Sequence, residues 1–271
     1  MTISDFHIHT HFSSDSDAPP AAQIERAIAL GMRHIAITDH HDLDLPPGGR
    51  TFLLGETGDT EAYIRTMQEL KSAYADRIEV LIGVELGLQP HLGQTLNTLA
   101  AAHPFDFIIG STHRFDGRDT EEQELYAGRP DEESVQLYLE TELENLKATD
   151  AYDVVGHLDF VLRDLPSRNK NFRYETHADV LDAMLSHVIE SGKGIECNTT
   201  TLYRGFGAPG PDASVIRRYR ELGGEIITFG SDAHRPERLG MAFEEARGIV
   251  RDCGFSHYCI FRERKAEFLP L

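Results

Sequence analysis

The sequence predicts an α/β fold: one closed barrel of alternating strands and helices, with its functional rim at the C-terminal strand ends. Three observations carry this. Apolar runs of strand length alternate with helix-like segments along 271 residues, which implies a parallel sheet. No linker, low-complexity stretch or fixed-period repeat interrupts the alternation, so residues 1–271 read as a single domain. Histidines and acids follow nearly every apolar run, where a parallel barrel gathers them at one mouth. The competing fold, an open doubly wound sheet, places a glycine-rich phosphate turn after its first strand. The one GxGxxG, at 205–210, lies far from the first strand, and no GxxxxGKS/T occurs.

The elements follow in order. A first strand over 3–7 carries His7, with His9 two residues on; side chains alternate along a strand, so the two imidazoles share a face and form a chelate. Pro19-Pro20 opens a helix through Leu30, closed by Gly31. Residues 34–38 form a second strand. The Pro- and Gly-rich stretch 43–58 is a loop. Asp59 caps a helix through Tyr74. Strands at 79–84 and 105–110 flank a helix at 92–102. A charged loop at 115–130 precedes a helix at 131–146. Strands at 153–156, 194–197 and 225–230 then alternate with helices at 175–190, 212–222 and 236–251. A last apolar run covers 257–261.

The net charge is −19. Nucleic-acid binders usually present a basic face, so the acid excess, densest over 119–144, argues against a nucleic-acid partner. Apolar residues make up 40% of the chain and no long uncharged apolar run occurs, which argues against a membrane span. The N-terminus has Asp5 and histidines in place of a basic region and apolar run, so no signal peptide is expected. Cys197, Cys253 and Cys259 form no CxxC, which fits a reducing cytoplasm. The oligomeric state is left open.

The residues after the apolar runs are the informative ones. In order they are His7 and His9; Asp39, His40 and His41; Glu85; His113; His157 and Asp159; Glu196 and Asn198; Asp232 and His234. A single histidine after a strand is usually structural. So many polar groups buried together need partners. Six histidines with Asp15, Glu85 and Asp232 exceed the needs of one tetrahedral ion. They suit two or three divalent ions, with zinc, iron and manganese all acceptable. Three such ions against three carboxylates leave roughly +3 before any hydroxide, a pocket suited to phosphate.

The motifs D-F-H7-I-H9-T, T-D-H40, G-V-E85, G-S-T-H113, G-H157-L-D and G-S-D232-A-H234 resemble the PHP (polymerase and histidinol phosphatase) superfamily over nearly the whole chain. The F-D-F-I-I-G-S-T-H and G-H-L-D-F-V-L-R contexts are most similar to its histidinol-phosphate phosphatase branch. The resemblance implies a distorted (β/α)7 barrel and a trinuclear metal centre. By position it implies one ion on His7, His9, Glu85 and Asp232, a second on Asp15, His40 and His234, and a third on Glu85, His113 and His157. Some relatives have His at the Asp15 position. It also implies that Arg163 and Arg204 hold the phosphate, although Thr201 stands where many relatives have Gly. His11 and His41 lie beside motif positions as substrate-facing or supporting candidates, and His103 as a structural one.

The expected chemistry is hydrolysis of a phosphate monoester, by resemblance L-histidinol phosphate in histidine biosynthesis, by a metal-bridging hydroxide. Asp232, His234 or His41 would supply the leaving group's proton. Tyr203 and Phe206 are candidates to face the imidazole. Three rival readings share parts of this pattern. A phosphodiesterase of the same superfamily, acting on nucleotide or cyclic phosphates, would share every ligand. An amidohydrolase barrel places a carbamylated lysine after a middle strand, and Lys71, Lys147, Lys170, Lys193 and Lys265 end no expected strand. A non-catalytic metal-binding regulator would tend to lose ligands, and this set is complete.

Overall fold

The computed structural model describes residues 4–44, 53–54, 59–166 and 172–271. Part of the first expected strand (residue 3) and most of the 43–58 loop lie outside them.

The elements run α1 (Pro20–Ala29), β1 (His34–Ile37), β2 (His40–Asp42), α2 (Thr60–Ala73), β3 (Glu79–Gly87), α3 (Gly93–Ala102), β4 (Phe107–Ser111), β5 (Arg114–Phe115), β6 (Arg118–Asp119), α4 (Asp131–Ala148) and β7 (Val154–Val155). Then come α5 (Ala178–Glu190), β8 (Gly194–Asn198), α6 (Thr200–Tyr203), α7 (Ala213–Glu221), β9 (Ile227–Gly230), α8 (Phe243–Asp252), β10 (His257–Arg262) and β11 (Lys265–Pro270). The main sheet has the order β1-β3-β4-β7-β8-β9, with β2 also on β3, and its pairs are parallel.

The N-terminal segment closes this sheet. Asp5 bridges Ile35 and Ile8 bridges Ala233, both in parallel. Phe6 N donates to Phe229 O at 2.8 Å and Ala36 N to Asp5 O at 2.9 Å, so the segment is hydrogen-bonded to both neighbours. The expected first strand is therefore a stave of the barrel, held by isolated bridges instead of a regular ladder. The strands are buried on both faces, as a parallel sheet under helices requires. Their side chains join those of the helices in one apolar cluster.

Most expected elements stand where the periodicity puts them, with ends shifted by a residue or two. The Asp59 carboxylate caps α2, accepting from Ala62 N at 2.9 Å. Two expectations change. The 236–251 helix starts only at Phe243, because Gly240 (φ 69°) and Ala242 (φ 61°) take left-handed conformations. There Gly240 N donates to the buried Asp5. The 115–130 loop opens as the β5–β6 hairpin, turned by Asp116 (φ 52°) and Gly117 (φ 72°), and reaches towards the rim.

Candidate metal centre

Glu85, near the end of β3, is the hub. It is fully buried, and five imidazoles close on its two oxygens. Oε2 lies 2.8 Å from His40 Nδ1, 3.3 Å from His7 Nε2 and 3.5 Å from His9 Nε2. Oε1 lies 3.0 Å from His157 Nε2 and 3.2 Å from His113 Nε2. Asp232 Oδ1 adds a second carboxylate, 3.4 Å from His9 Nε2 and 3.7 Å from His7 Nε2. Asp15 Oδ2 sits 3.0 Å from His234 Nε2 and 3.7 Å from His40 Nε2. The His9 ring stacks on those of His40 and His234, with centroids 4.2 and 4.1 Å apart.

All but Asp15, which sits in the turn at 11–15, come from the ends of strands or of the N-terminal segment. Asp232 is held at φ 54°, an uncommon conformation for a non-glycine residue. The turn carrying it is anchored by Asp5, which accepts from Ser231 N at 3.0 Å and Ser231 Oγ at 2.5 Å. Asp39 accepts from Thr10 N, Thr10 Oγ1 and Ser13 Oγ, tying the first segment to the end of β1.

The donor set fits cations. His7 Nε2 and His9 Nε2 are buried and make no hydrogen bond, although each faces oxygens of two carboxylates. Such groups are expensive to bury unless something compensates them, and a shared divalent ion does so. Several triads bring their donor atoms within 4.8 Å of one another: His7, His9 and Glu85; Glu85, His113 and His157; His7, His157 and Asp232; His9, His40 and His234; and His40, Asp42 and His113. The electrostatics agree. Burial drives the Glu85 carboxyl up, but His7, His40 and His113 hold it well below its ordinary range. Burial, then the neighbouring His234 and His40, push His9 well down, so its ring is neutral with a lone pair to give. Burial also lowers His113, yet Asp42 and Glu85 raise it to about 10.

The expected donors His7, His9, Asp15, His40, Glu85, His113, His157, Asp232 and His234 thus lie together. His41 does not join them, which corrects its assignment as a substrate or proton-donor residue. It follows His40 on β2, so alternation turns it to the opposite face. There it is buried, and its Nδ1 accepts from Leu54 N at 3.3 Å. His11 stacks on Phe12 and is exposed. His103 lies near Glu61, away from the centre. Two supporting carboxylates went unassigned in the sequence. Asp42 Oδ2 lies 2.7 Å from His113 Nδ1, and Glu196 Oε1 lies 2.6 Å from His7 Nδ1. Asp42 shares the His40 face of β2 two residues on, so strand alternation was the available signal for it.

A cleft opens over the centre. Arg163 lines it, stacked 4.0 Å over the Phe160 ring, with Nη1 3.3 Å from Asp232 Oδ2 and Nη2 without a hydrogen bond. Arg204 is at the mouth, which continues into a second hollow with Tyr203, Arg235 and Arg238. Asp119, Glu121 and Asp164 also line the cleft.

The PHP domain profile matches residues 5–200. The chain belongs to the PHP domain family. It is similar to the histidinol-phosphatase of Lactococcus lactis, with 29% identity covering 98% of this chain and 97% of that one. It is also similar to a probable histidinol-phosphatase of Clostridium acetobutylicum, with 29% identity covering 93% and 94%. Among solved structures it superposes on the histidinol phosphate phosphatase of Lactococcus lactis complexed with zinc, L-histidinol and phosphate. The TM-score is 0.90 at 28% identity, covering 98% of this chain and 99% of that one. PHP motif positions and barrel rim coincide here.

Proposed function

We propose that this PHP protein is a metal-dependent phosphate monoester hydrolase that converts L-histidinol phosphate and water to L-histidinol and phosphate. The observation that carries the reading is the convergence of five imidazoles on the two oxygens of Glu85, beneath a cleft lined by arginine. The Lactococcus lactis relatives, similar along nearly their whole length, support the substrate.

His7, His9, Glu85 and Asp232 would hold one ion, Asp15, His40 and His234 a second, and Glu85, His113 and His157 a third. Zinc, iron and manganese suit these donors, and zinc is the first to test because the Lactococcus structure contains it. Bound divalent ions lower the pKa of water so that hydroxide is available near neutral pH, and they neutralise phosphate charge. The chain's own residues do the rest. Arg163 and Arg204 bind and orient the phosphate, and Arg163 offers a planar fork already fixed by Phe160 and Asp232. Asp232 Oδ2 faces Arg163, Asn198 and Thr200 as an acceptor, so it serves poorly as a proton donor. His234 also lines the cleft, but its Nε2, 3.0 Å from Asp15 Oδ2, would be committed to the second ion, so neither side chain is singled out as the proton donor. Asp119 and Glu121, which also line the cleft, suit the substrate's ammonium and imidazole.

No helix among the described residues is long and apolar enough to cross a membrane. We read residues 1–271 as one cytoplasmic enzyme unit acting on a small molecule, and the −19 net charge favours no nucleic-acid partner.

The test is phosphate release by the pure protein with zinc or manganese, before and after chelation. Histidinol phosphate should be turned over faster than an aryl phosphate or a bis-aryl phosphate. Equal turnover of the monoesters rejects the substrate, and preference for the diester rejects monoesterase action.

A further inference from the structure

We infer that Glu196 is a positioning residue shared by two cation positions, holding His7 and His157 together behind Glu85. The inference rests on the metal-dependent reading above. Glu196 is 1% exposed, at the middle of β8. Its Oε1 lies 2.6 Å from His7 Nδ1. Its Oε2 accepts from the His157 backbone N at 2.9 Å and from Asn198 Nδ2 at 3.1 Å.

Donation from Nδ1 fixes the His7 tautomer and leaves the lone pair on Nε2. That nitrogen points at Glu85 Oε2. The second oxygen of Glu196 fixes the backbone just beyond β7, from which the His157 ring reaches Glu85 Oε1. One outer carboxylate therefore sets, through separate oxygens, the two imidazoles that reach separate oxygens of the inner one. Asp42 is narrower, its Oδ2 lying 2.7 Å from His113 Nδ1 alone among these rings. Ser13 is the hydroxyl counterpart, its Oγ 3.0 Å from His9 Nδ1 and accepting from His40 N at 3.0 Å, but it is a single atom and carries no charge. The backbone makes room for the arrangement. A Cβ on Gly230 would fall 2.0 Å from Glu196 Oε1 and 2.5 Å from His7 Cβ, so β9 requires glycine beside this pair.

The alternative is a carboxylate that merely stitches β7 to β8. Zinc binding separates the two. Full-length parent, Glu196→Gln and Asp42→Asn proteins are stripped by chelation and titrated with buffered free zinc. Elemental analysis gives ions bound per chain, and the stripped proteins are also melted. Glu196→Gln should weaken two binding steps together, by about 10–100-fold each, while Asp42→Asn weakens one and the stripped Glu196→Gln protein melts near the parent. In a His7→Asn background, adding Glu196→Gln should cost nothing further at the His7 step. Zinc affinity unchanged in Glu196→Gln, or weakened at one step only, overturns the inference while leaving the enzyme reading intact. A parent that binds no zinc overturns both. Should the Glu196 variants not fold, ring-nitrogen NMR of the zinc-loaded parent decides. A proton on His7 Nδ1 is expected, and a proton on Nε2 overturns the proposal.

Discussion

The two ends of the sheet treat buried charge in opposite ways. At the N-terminal end three acids each have a fixed cation. Glu79, first in β3, takes both Arg262 Nε and Nη2, at 2.7 and 2.6 Å. Asp153, before β7, takes Arg264 Nε at 2.7 Å and also accepts from Ile108 N. Asp106, before β4, takes Lys71 Nζ at 2.7 Å and Ile82 N at 3.0 Å. Arg262 and Arg264 come from the β10–β11 hairpin, whose turn residues Glu263 and Arg264 have positive φ. At the C-terminal end, imidazole nitrogens and carboxylate oxygens face one another, and His7 and His9 Nε2 make no hydrogen bond. Saturated charge welds strands to the hairpin. Unsaturated charge waits for something mobile to bind.

Four substitutions sharpen or break this contrast. The largest effect is expected at the hub. Glu85→Gln should bring phosphate release down to the level of the chelated parent and lower the zinc content; a variant that keeps both shows that the rim is not built around cations. For the parent, zinc at about 100 times its Kd should stabilise the folded state by about 2.7 kcal/mol, read as a rise in Tm over the chelated protein. Next, Arg163→Ala should lower kcat/KM by about 10²–10³, as for other groups stabilising charge in the transition state. Zinc content should stay near the parent's, and a fall in zinc equal to the fall in rate would make Arg163 a support for Asp232 only. A smaller change is expected at the acids lining the cleft. Asp119→Asn should raise KM for histidinol phosphate about tenfold, or about 1.4 kcal/mol, without altering turnover of an aryl phosphate; equal losses on both esters would remove Asp119 from substrate selection. The smallest effect on activity belongs to the opposite end. Arg264→Ala strands the buried Asp153 and should cost about 3 kcal/mol of stability, seen in denaturant unfolding, while kcat per folded molecule stays at the parent value. A matching loss of kcat would show that the two ends are not independent.

Much of this was legible in the residues. Alternating apolar runs with acids and histidines behind them specify a parallel sheet with a polar rim, because strand ends in such a sheet all face one way. The donors His7, His9, His40, Glu85, His113, His157, Asp232 and His234 follow from that rule and from the PHP motifs. The rule fails at His41, where one step along β2 reverses the face, and at the 236–251 helix, which yields its start to the Asp5 anchor.

Left to itself, the sequence determined which chemical groups arrive at the rim and in what order around it. Only the tertiary structure decided which imidazole nitrogen meets which carboxylate oxygen, that the segment carrying His7 bridges β1 and β9 to close the sheet, and that Asp42 and Glu196 stand behind the donors. Those outcomes depend on register between strands as far apart as His7 and Glu196. Local periodicity carries no information about that register; packing of the closed sheet does.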